Sequence, residues 1–318
     1  KAREINKAHT TFIDTILRYE HKGRIHADIN QIRSDQGGTV TGRFSYSNPN
    51  LQQIPARNKD LGPMIRSLFI PEENCTWGCF DYSQQEPRLV VHFASTTAGI
   101  KEDPSVKEIV DNYASNDIDF HKTVADMAGI DRIQAKTINL GLFYGMGKAK
   151  LQAELGLSTK QEAEALFNQY HDRVPFVRNL MQETSRWASR EGEIRTLLGR
   201  GCRFNKWEPA QFGMHTPMTW EDAVKKYGEN RIRRAFTYKA LNKLIQGSAA
   251  DMTKKSMLDL YKEGIIAHIQ IHDELDLSVE SPEQAKKVVE IMENAVKLDV
   301  PNKVDYESGK NWGDIYDK

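Results

Sequence analysis

Arg132, Lys136, Leu140 and Tyr144 recur at steps of four within the stretch 131–145, a spacing that puts them on one side of a helix. The stripe carries two cations, one apolar side chain and one ring. Cations suit phosphates, and apolar or aromatic groups suit a flat base. One helix face could therefore hold a triphosphate and, further along, a nucleobase. Acidic chemistry lies elsewhere. Asp81 ends a β-rich run that starts at Thr76, and an acid at the end of a buried strand is costly unless paired or bound to a metal. His272-Asp273-Glu274 separates two further β-rich runs, 265–271 and 275–279, which reads as a hairpin with carboxylates at its tip. Taken singly, each feature also fits a bland reading: an amphipathic helix with solvated cations, or a charged surface turn.

These groups need elements to hold them. Residues 2–19 read as a helix with Ile5, Phe12, Ile13, Ile16 and Leu17 on its apolar face. Residues 23–32 look extended, and Gly37-Gly38 marks a turn. Thr41-Gly42-Arg43 follows, where glycine lets the backbone approach a partner and Arg43 can fork onto a base edge or a phosphate. Residues 50–55 form an amide-rich loop, and Arg57 and Arg66 could add phosphate contacts. Helices are expected over 104–113, from Asp119-Phe120-His121 onward, from the Ser158–Gln161 capping pattern to Tyr170, and from Pro175 to Gly192. Gly199-Arg200-Gly201 is a tight basic turn, and 202–230 reads as irregular. A basic stretch at Arg231, Arg233 and Arg234 leads into a helix on which Asn242 and Gln246, four apart, share a face. Amides on such a face suit the acceptors that every base pair shows in the minor groove. Ser281-Pro282-Glu283-Gln284 caps a last helix to Leu298.

Composition sets limits. The 318 residues suffice for one large domain or two or three subdomains. Basic and acidic residues balance at 44 each, so a nucleic-acid binder of this composition must gather its cations on one face. Neutral charge also predicts weak, salt-sensitive DNA binding. Cys75, Cys79 and Cys202 show no paired metal-ligand spacing, which favours a reduced, cytoplasmic protein. No apolar run is long enough to span a membrane, and none is expected to engage one. A chain that begins with Lys reads as a piece of a longer protein.

The stretch Arg132-x3-Lys136-x2-Asn139-x-Gly141-x2-Tyr144-Gly145 resembles the fingers-helix motif of family A DNA polymerases, the DNA polymerase I group. Three more motifs of that family stand in order: Thr41-Gly42-Arg43 with 50–55 behind it, then 81–88, then His272-Asp273-Glu274. The resemblance covers nearly the whole chain and has a phage-type flavour. It implies an α+β right hand, with an antiparallel palm sheet, helical fingers and most of the thumb absent. Residues 1–30 would be a thumb remnant leading into the palm. Residues 31–99 would be the first part of the palm, 100–235 the fingers with their nucleotide helix 131–145, and 236–318 the second part of the palm.

The implied reaction is template-directed addition of deoxynucleotides to a primer 3′-hydroxyl, with pyrophosphate released. Asp81 and Asp273 would ligate two Mg²⁺, with Mn²⁺ a substitute, and Glu274 would stand behind them. Lys136 would act on the leaving pyrophosphate, Arg132 would clamp a phosphate, and His121 would touch the incoming phosphates. Tyr144 would sit near the templating base. Glu86 would exclude a ribose 2′-hydroxyl, with Gln84 near the same sugar. Arg43 and His272 would meet the primer end, and Asn242 and Gln246 the minor groove. Several residues depart from the family. Leu140 stands where Phe or Tyr is usual, Gln85 and Pro87 replace aliphatic residues, and Tyr238 stands where an arginine is often found. The implied partners are primer-template DNA and deoxynucleoside triphosphates, the implied location is the cytoplasm of a bacterial or phage-infected cell, and a monomer is expected. No processivity partner is indicated. Three other readings stay open: a single-subunit RNA polymerase, a DNA-binding remnant without catalysis, and a two-metal nuclease.

Overall fold

Strand alternation organises the sheet that carries the acids. In this computed structural model, four strands pair antiparallel: β1 (Thr76–Tyr82), β2 (Ile269–Ile271), β3 (Glu274–Val279) and β4 (Val304–Gly309), in the order β2-β3-β1-β4. Residues 6, 9–34, 37–55, 58, 60–115, 118–143, 148–211 and 213–316 are described. By contact the chain divides into one unit of residues 1–85, 249–297 and 302–318, and another of 86–248 and 298–301.

The sheet belongs to the first unit. Phe80, Tyr82, Leu275 and Leu277 point to one face and are buried. The helix Pro282–Asn294 lies against that face, where the Tyr82 hydroxyl donates to the Met292 carbonyl at 2.5 Å and sits 2.7 Å from the Ser256 hydroxyl. Each of the buried Phe and Leu side chains contributes roughly 1.5–3 kcal/mol relative to exposure. That burial offsets the cost of what the opposite face carries. At its lower end the opposite face packs Trp77 and Cys79 with Tyr46, Leu51, Ile54, Ile65 and Trp312. The Trp77 and Trp312 rings stack with centroids 5.9 Å apart.

In the first unit the expected N-terminal helix is a π turn, His9–Ile13, followed by the α-helix Asp14–Tyr19. Ile16 is buried there, but Leu17, placed on the apolar face by periodicity, is 66% exposed. Five consecutive π-helical residues shift the angular register, so the 3.6-residue stripe does not carry through. Arg66 also departs from expectation. It is 3% exposed, its guanidinium lies 4.2 Å from the Trp312 ring centroid, and its Nε donates to the Pro55 carbonyl at 3.1 Å. It is therefore a core cation and not a phosphate contact. Arg57 lies outside the described residues.

The second unit is mainly helical. Gln85–Thr96, Pro104–Ser115, Phe120–Ala128, Arg132–Phe143, Lys148–Glu154, Lys160–Arg173 and Pro175–Glu191 follow in order, the first beginning one residue inside the other unit. Capping residues set several boundaries. Asp119 accepts from Lys122 N–H and Thr159 from Glu162 N–H, while Gly192 closes its helix in the left-handed region at φ 75°. The cap of the 160–173 helix is thus Thr159 itself. Residues 202–230 hold more structure than their composition suggests. Two antiparallel strand pairs join Glu193–Arg195 with Gly201–Arg203 and Trp207–Pro209 with Ile232–Arg234, and Thr219 caps the helix Trp220–Tyr227. Three-residue strands are too short for alternation to reveal them in sequence.

The Ala240–Lys262 helix is shared between the units at Ala249. The last helix stops at Asn294, short of Leu298, where the Asn302 amide donates to the Glu293 and Val296 carbonyls and so ends the ladder. No described helix is long and apolar enough to cross a membrane.

Candidate functional sites: a row of carboxylates in one unit, a cation-bearing helix in the other

Within the sheet, Asp81 is in register with Glu274 on β3 and with Asp305 on β4. Period-two alternation therefore sets three acids side by side on one face, across three adjacent strands. Asp273 joins them from the hairpin tip, where Tyr82 N–H donates to the Asp273 carbonyl at 3.3 Å. His272, at φ 57°, makes the turn that allows this. Burial pushes the Asp81 carboxyl up to about 8, and the charges of Asp273, Glu274 and Asp305 add to the rise. The two expected metal ligands are brought together, and Glu274 is beside them. Asp305 carries no signal in the sequence, because its place beside Asp81 depends on the register in which β4 pairs with β1. The donors at Asp81 and Asp273 are all oxygen, and their mutual repulsion is what a hard divalent cation relieves. The residues fit Mg²⁺.

Arg43 and His272 line one small recess together with Phe44, Thr253, Lys254 and Gln270. Gly42 takes φ 84°, a conformation that favours glycine, and thereby turns Arg43 toward this recess. The amide-rich loop has a role here. The Gln52 side-chain amide donates to the Phe44 carbonyl at 3.4 Å and to the Gln270 carbonyl at 3.3 Å, tying the Arg43 segment to β2. Gln84 adopts φ 54° just after β1. Gln85 is buried, and its amide donates to the Thr253 hydroxyl at 3.3 Å. Pro87 falls in the first turn of its helix, where no ladder bond is lost.

The second unit holds the cations. Arg132 grips Asp119 twice, through Nε at 2.7 Å and a terminal nitrogen at 2.6 Å. Partial burial pushes the Asp119 carboxyl up, but Arg132 and the Lys122 N–H outweigh this and hold it below its usual range. Lys136, one turn on, is exposed, and its ammonium has no hydrogen-bond or ion-pair partner among the described residues. His121 Nδ1 accepts from the Asn139 side-chain amide at 3.2 Å, and Asn139 in turn accepts from the buried Tyr170 hydroxyl. This leaves the imidazole proton on Nε2. Burial lowers His121 to about 4, with Lys136 and Arg132 adding to the effect and Asp119 opposing it. His121, Arg132 and Lys136 are therefore gathered on two packed helices. Leu140 follows on the same stripe, half-buried. Tyr144 lies outside the described residues. Spacing alone marks neither Asp119 as the anchor of Arg132 nor Tyr170 as the support of Asn139 and His121. Asp119's place at a helix N-terminus was the available signal for the first.

Glu86 is half-buried in the first turn of its helix. Asn242 and Gln246 are half-buried on one face of the Ala240–Lys262 helix, and their side chains make no hydrogen bond among the described residues.

A family model described as DNA polymerase family A matches residues 1–314. The chain is 35% identical to the DNA-directed DNA polymerase of Pseudomonas phage M6, over 98% of this chain and 50% of that protein. It is 34% identical to the thermostable DNA polymerase I of Thermus aquaticus, over 98% of this chain and 35% of that protein. The POL domain of Pol1 from M. smegmatis, solved in complex with DNA primer-template and dNTP, matches with a TM-score of 0.76. That match has 29% identity and covers 98% of this chain and 52% of that one. The chain thus spans half the length of the phage relative and 35% of the bacterial one.

Proposed function

The chain belongs to DNA polymerase family A, and from that membership we propose that it adds deoxynucleotides to a primer 3′-hydroxyl under the direction of a template. The observation that carries this reading is the row of Glu274, Asp81 and Asp305 with Asp273 at its end. Asp81 and Asp273 are the residues that would hold two Mg²⁺, for which Mn²⁺ can substitute. When bound, the ions supply activation of the 3′-hydroxyl and stabilisation of the leaving oxygens.

The chain's own residues do the rest. Arg132 and Lys136 hold the phosphates, Arg132 as a two-pronged donor and Lys136 as a point charge that meets the leaving pyrophosphate. His121, neutral with its proton on Nε2, donates to a phosphate oxygen without first gaining a second proton. Leu140 offers an apolar wall to the sugar and base, and Tyr144 is assigned to the templating base by the family motif alone. Glu86 and Gln84 face the sugar and exclude a 2′-hydroxyl. Arg43 and His272 position the primer end, and Asn242 and Gln246 follow the minor groove. In this reading 31–99 and 236–318 form the palm and 100–235 the fingers.

Primer extension on a templated duplex with Mg²⁺ tests the proposal, comparing deoxy- and ribonucleotides beside Asp273→Ala. Extension with deoxynucleotides only, abolished by the substitution, is expected. Extension with both sugars would favour an RNA polymerase or a displaced Glu86. Folded protein that binds the duplex and extends nothing would count against catalysis by this chain.

A further inference from the structure

One strand-register step below the carboxylate row lies a second constellation of a different character. We propose that Cys79, Glu274 and Asp276 form a cation site of their own, suited to a borderline-soft divalent ion such as Zn²⁺ or Cd²⁺. Asp276 on β3 is in register with Cys79 on β1, and Glu274 is two residues before Asp276. All three side chains therefore leave the sheet on one face. Their ligand atoms lie within 4.8 Å of one another.

Two observations point to a missing partner. Asp276 is 0% exposed, and one of its oxygens is satisfied, since Trp77 Nε1–H donates to Oδ1 at 3.2 Å. Its other oxygen, Oδ2, meets no donor. Its polar neighbour is the Glu274 carboxyl, an acid like itself, and the two can meet only with a proton or a cation between them. Native interiors leave few such oxygens unmet, and a buried acceptor facing another acceptor is costly unless a cation or a proton lies between them.

The donor set identifies the ion's class. A thiolate with two carboxylates suits zinc or cadmium, with zinc–sulfur near 2.3 Å and zinc–oxygen near 2.0–2.2 Å, whereas magnesium takes oxygen alone. Softness thus separates this site from the all-oxygen pair Asp81 and Asp273. The buried Arg66 guanidinium also acts on Asp276. Three anionic ligands, that guanidinium and a divalent ion sum to zero charge, which a buried site favours. Three protein ligands leave a fourth position for water, on the side of half-exposed Glu274. Because Glu274 is also in register with Asp81, an ion held here would draw one member out of the carboxylate row. The site itself does not depend on the polymerase reading.

Cadmium is the probe, since thiolate-to-cadmium charge transfer absorbs in the ultraviolet and needs no activity assay. Titration of the metal-free chain is expected to give that absorption at one equivalent. The absorption should survive Cys75→Ser and Cys202→Ser and disappear in Cys79→Ser. Asp276→Asn, which keeps the Trp77 hydrogen bond, should weaken cadmium binding by about ten-fold or more. If Cys79→Ser fails to fold by circular dichroism, Asp276→Asn alone decides. No absorption from the folded wild-type chain, absorption that follows Cys75 or Cys202, or unchanged affinity in Asp276→Asn would each overturn the site.

Discussion

Asn139 donates its side-chain amide to His121 Nδ1 at 3.2 Å while accepting the Tyr170 hydroxyl on its other side. The relay fixes the histidine as a neutral Nε2 donor and sets its ring plane. Asn139→Leu leaves two buried polar groups unmet, a loss of about 1–3 kcal/mol. The expected result is a fall in kcat/KM for nucleotide incorporation of roughly 5–100-fold. Tyr170→Phe should lose less, because Asn139 can still orient His121. Incorporation rates for Asn139→Leu equal to those of the wild type would show that the relay only stabilises the fold.

The same histidine makes acid stability predictable in sign. Burial lowers His121 to about 4, while in the unfolded chain an imidazole titrates near 6.5. Between those values the unfolded chain binds the additional proton. Stability therefore rises with pH through that window and is lost as pH falls from about 6.5 towards 4. His92 and His268, also lowered chiefly by burial, act with the same sign. Urea unfolding across the window should show the slope, and His121→Asn should flatten part of it. An unchanged slope in that variant would assign the effect to the other histidines.

Asp119 both caps its helix and holds Arg132. Asp119→Asn keeps the cap and removes the ion pair, which is largely exposed and worth less than about 1 kcal/mol. Asp119→Ala removes the cap as well and should cost about 1 kcal/mol more. Both variants release Arg132, so nucleotide KM should rise in both by a similar factor while stability falls mainly in the alanine variant. A KM that rises only in Asp119→Ala would mean that helix order, not the guanidinium, governs binding.

Gln85 is buried with its Oε1 unmet and a single 3.3 Å bond to Thr253. Thr253 has a second partner in the Ala249 carbonyl. Gln85→Leu should therefore be neutral or stabilising by up to about 1 kcal/mol. A thermal melt that shifts downward would mean that the Thr253 bond outweighs the unmet oxygen.

Repulsion in the carboxylate row should be visible as stability withheld. With Asp81 pushed up to about 8 by burial and its neighbours, ionising it opposes folding. At about pH 9 without divalent ions, Asp81→Asn should stabilise the chain by about 1 kcal/mol or more and abolish extension. Mg²⁺ should raise the stability of the wild type and leave the variant nearly unchanged. Equal stabilisation of both by Mg²⁺ would remove Asp81 from the ligand set.

The linear chain was enough to locate the strand ending at Asp81–Tyr82, the carboxylate-tipped hairpin, the Pro175–Glu191 helix and the stripe of Arg132, Lys136 and Leu140. Each depends on spacing or capping within a few residues, and local sequence encodes both directly. The same chain was silent about relations that depend on distant pairing. Asp305 joins Asp81 only because β4 pairs with β1 in one particular register, and Asp276 meets Cys79 for the same reason across β3. A one-residue slip would send every one of these acids to the other face. Arg66 looked like a surface cation until the ring of Trp312 covered it. Tyr170 supports His121 through a helix that begins dozens of residues away in the chain. Periodicity states which side of an element a residue takes, but only tertiary packing decides what waits on that side.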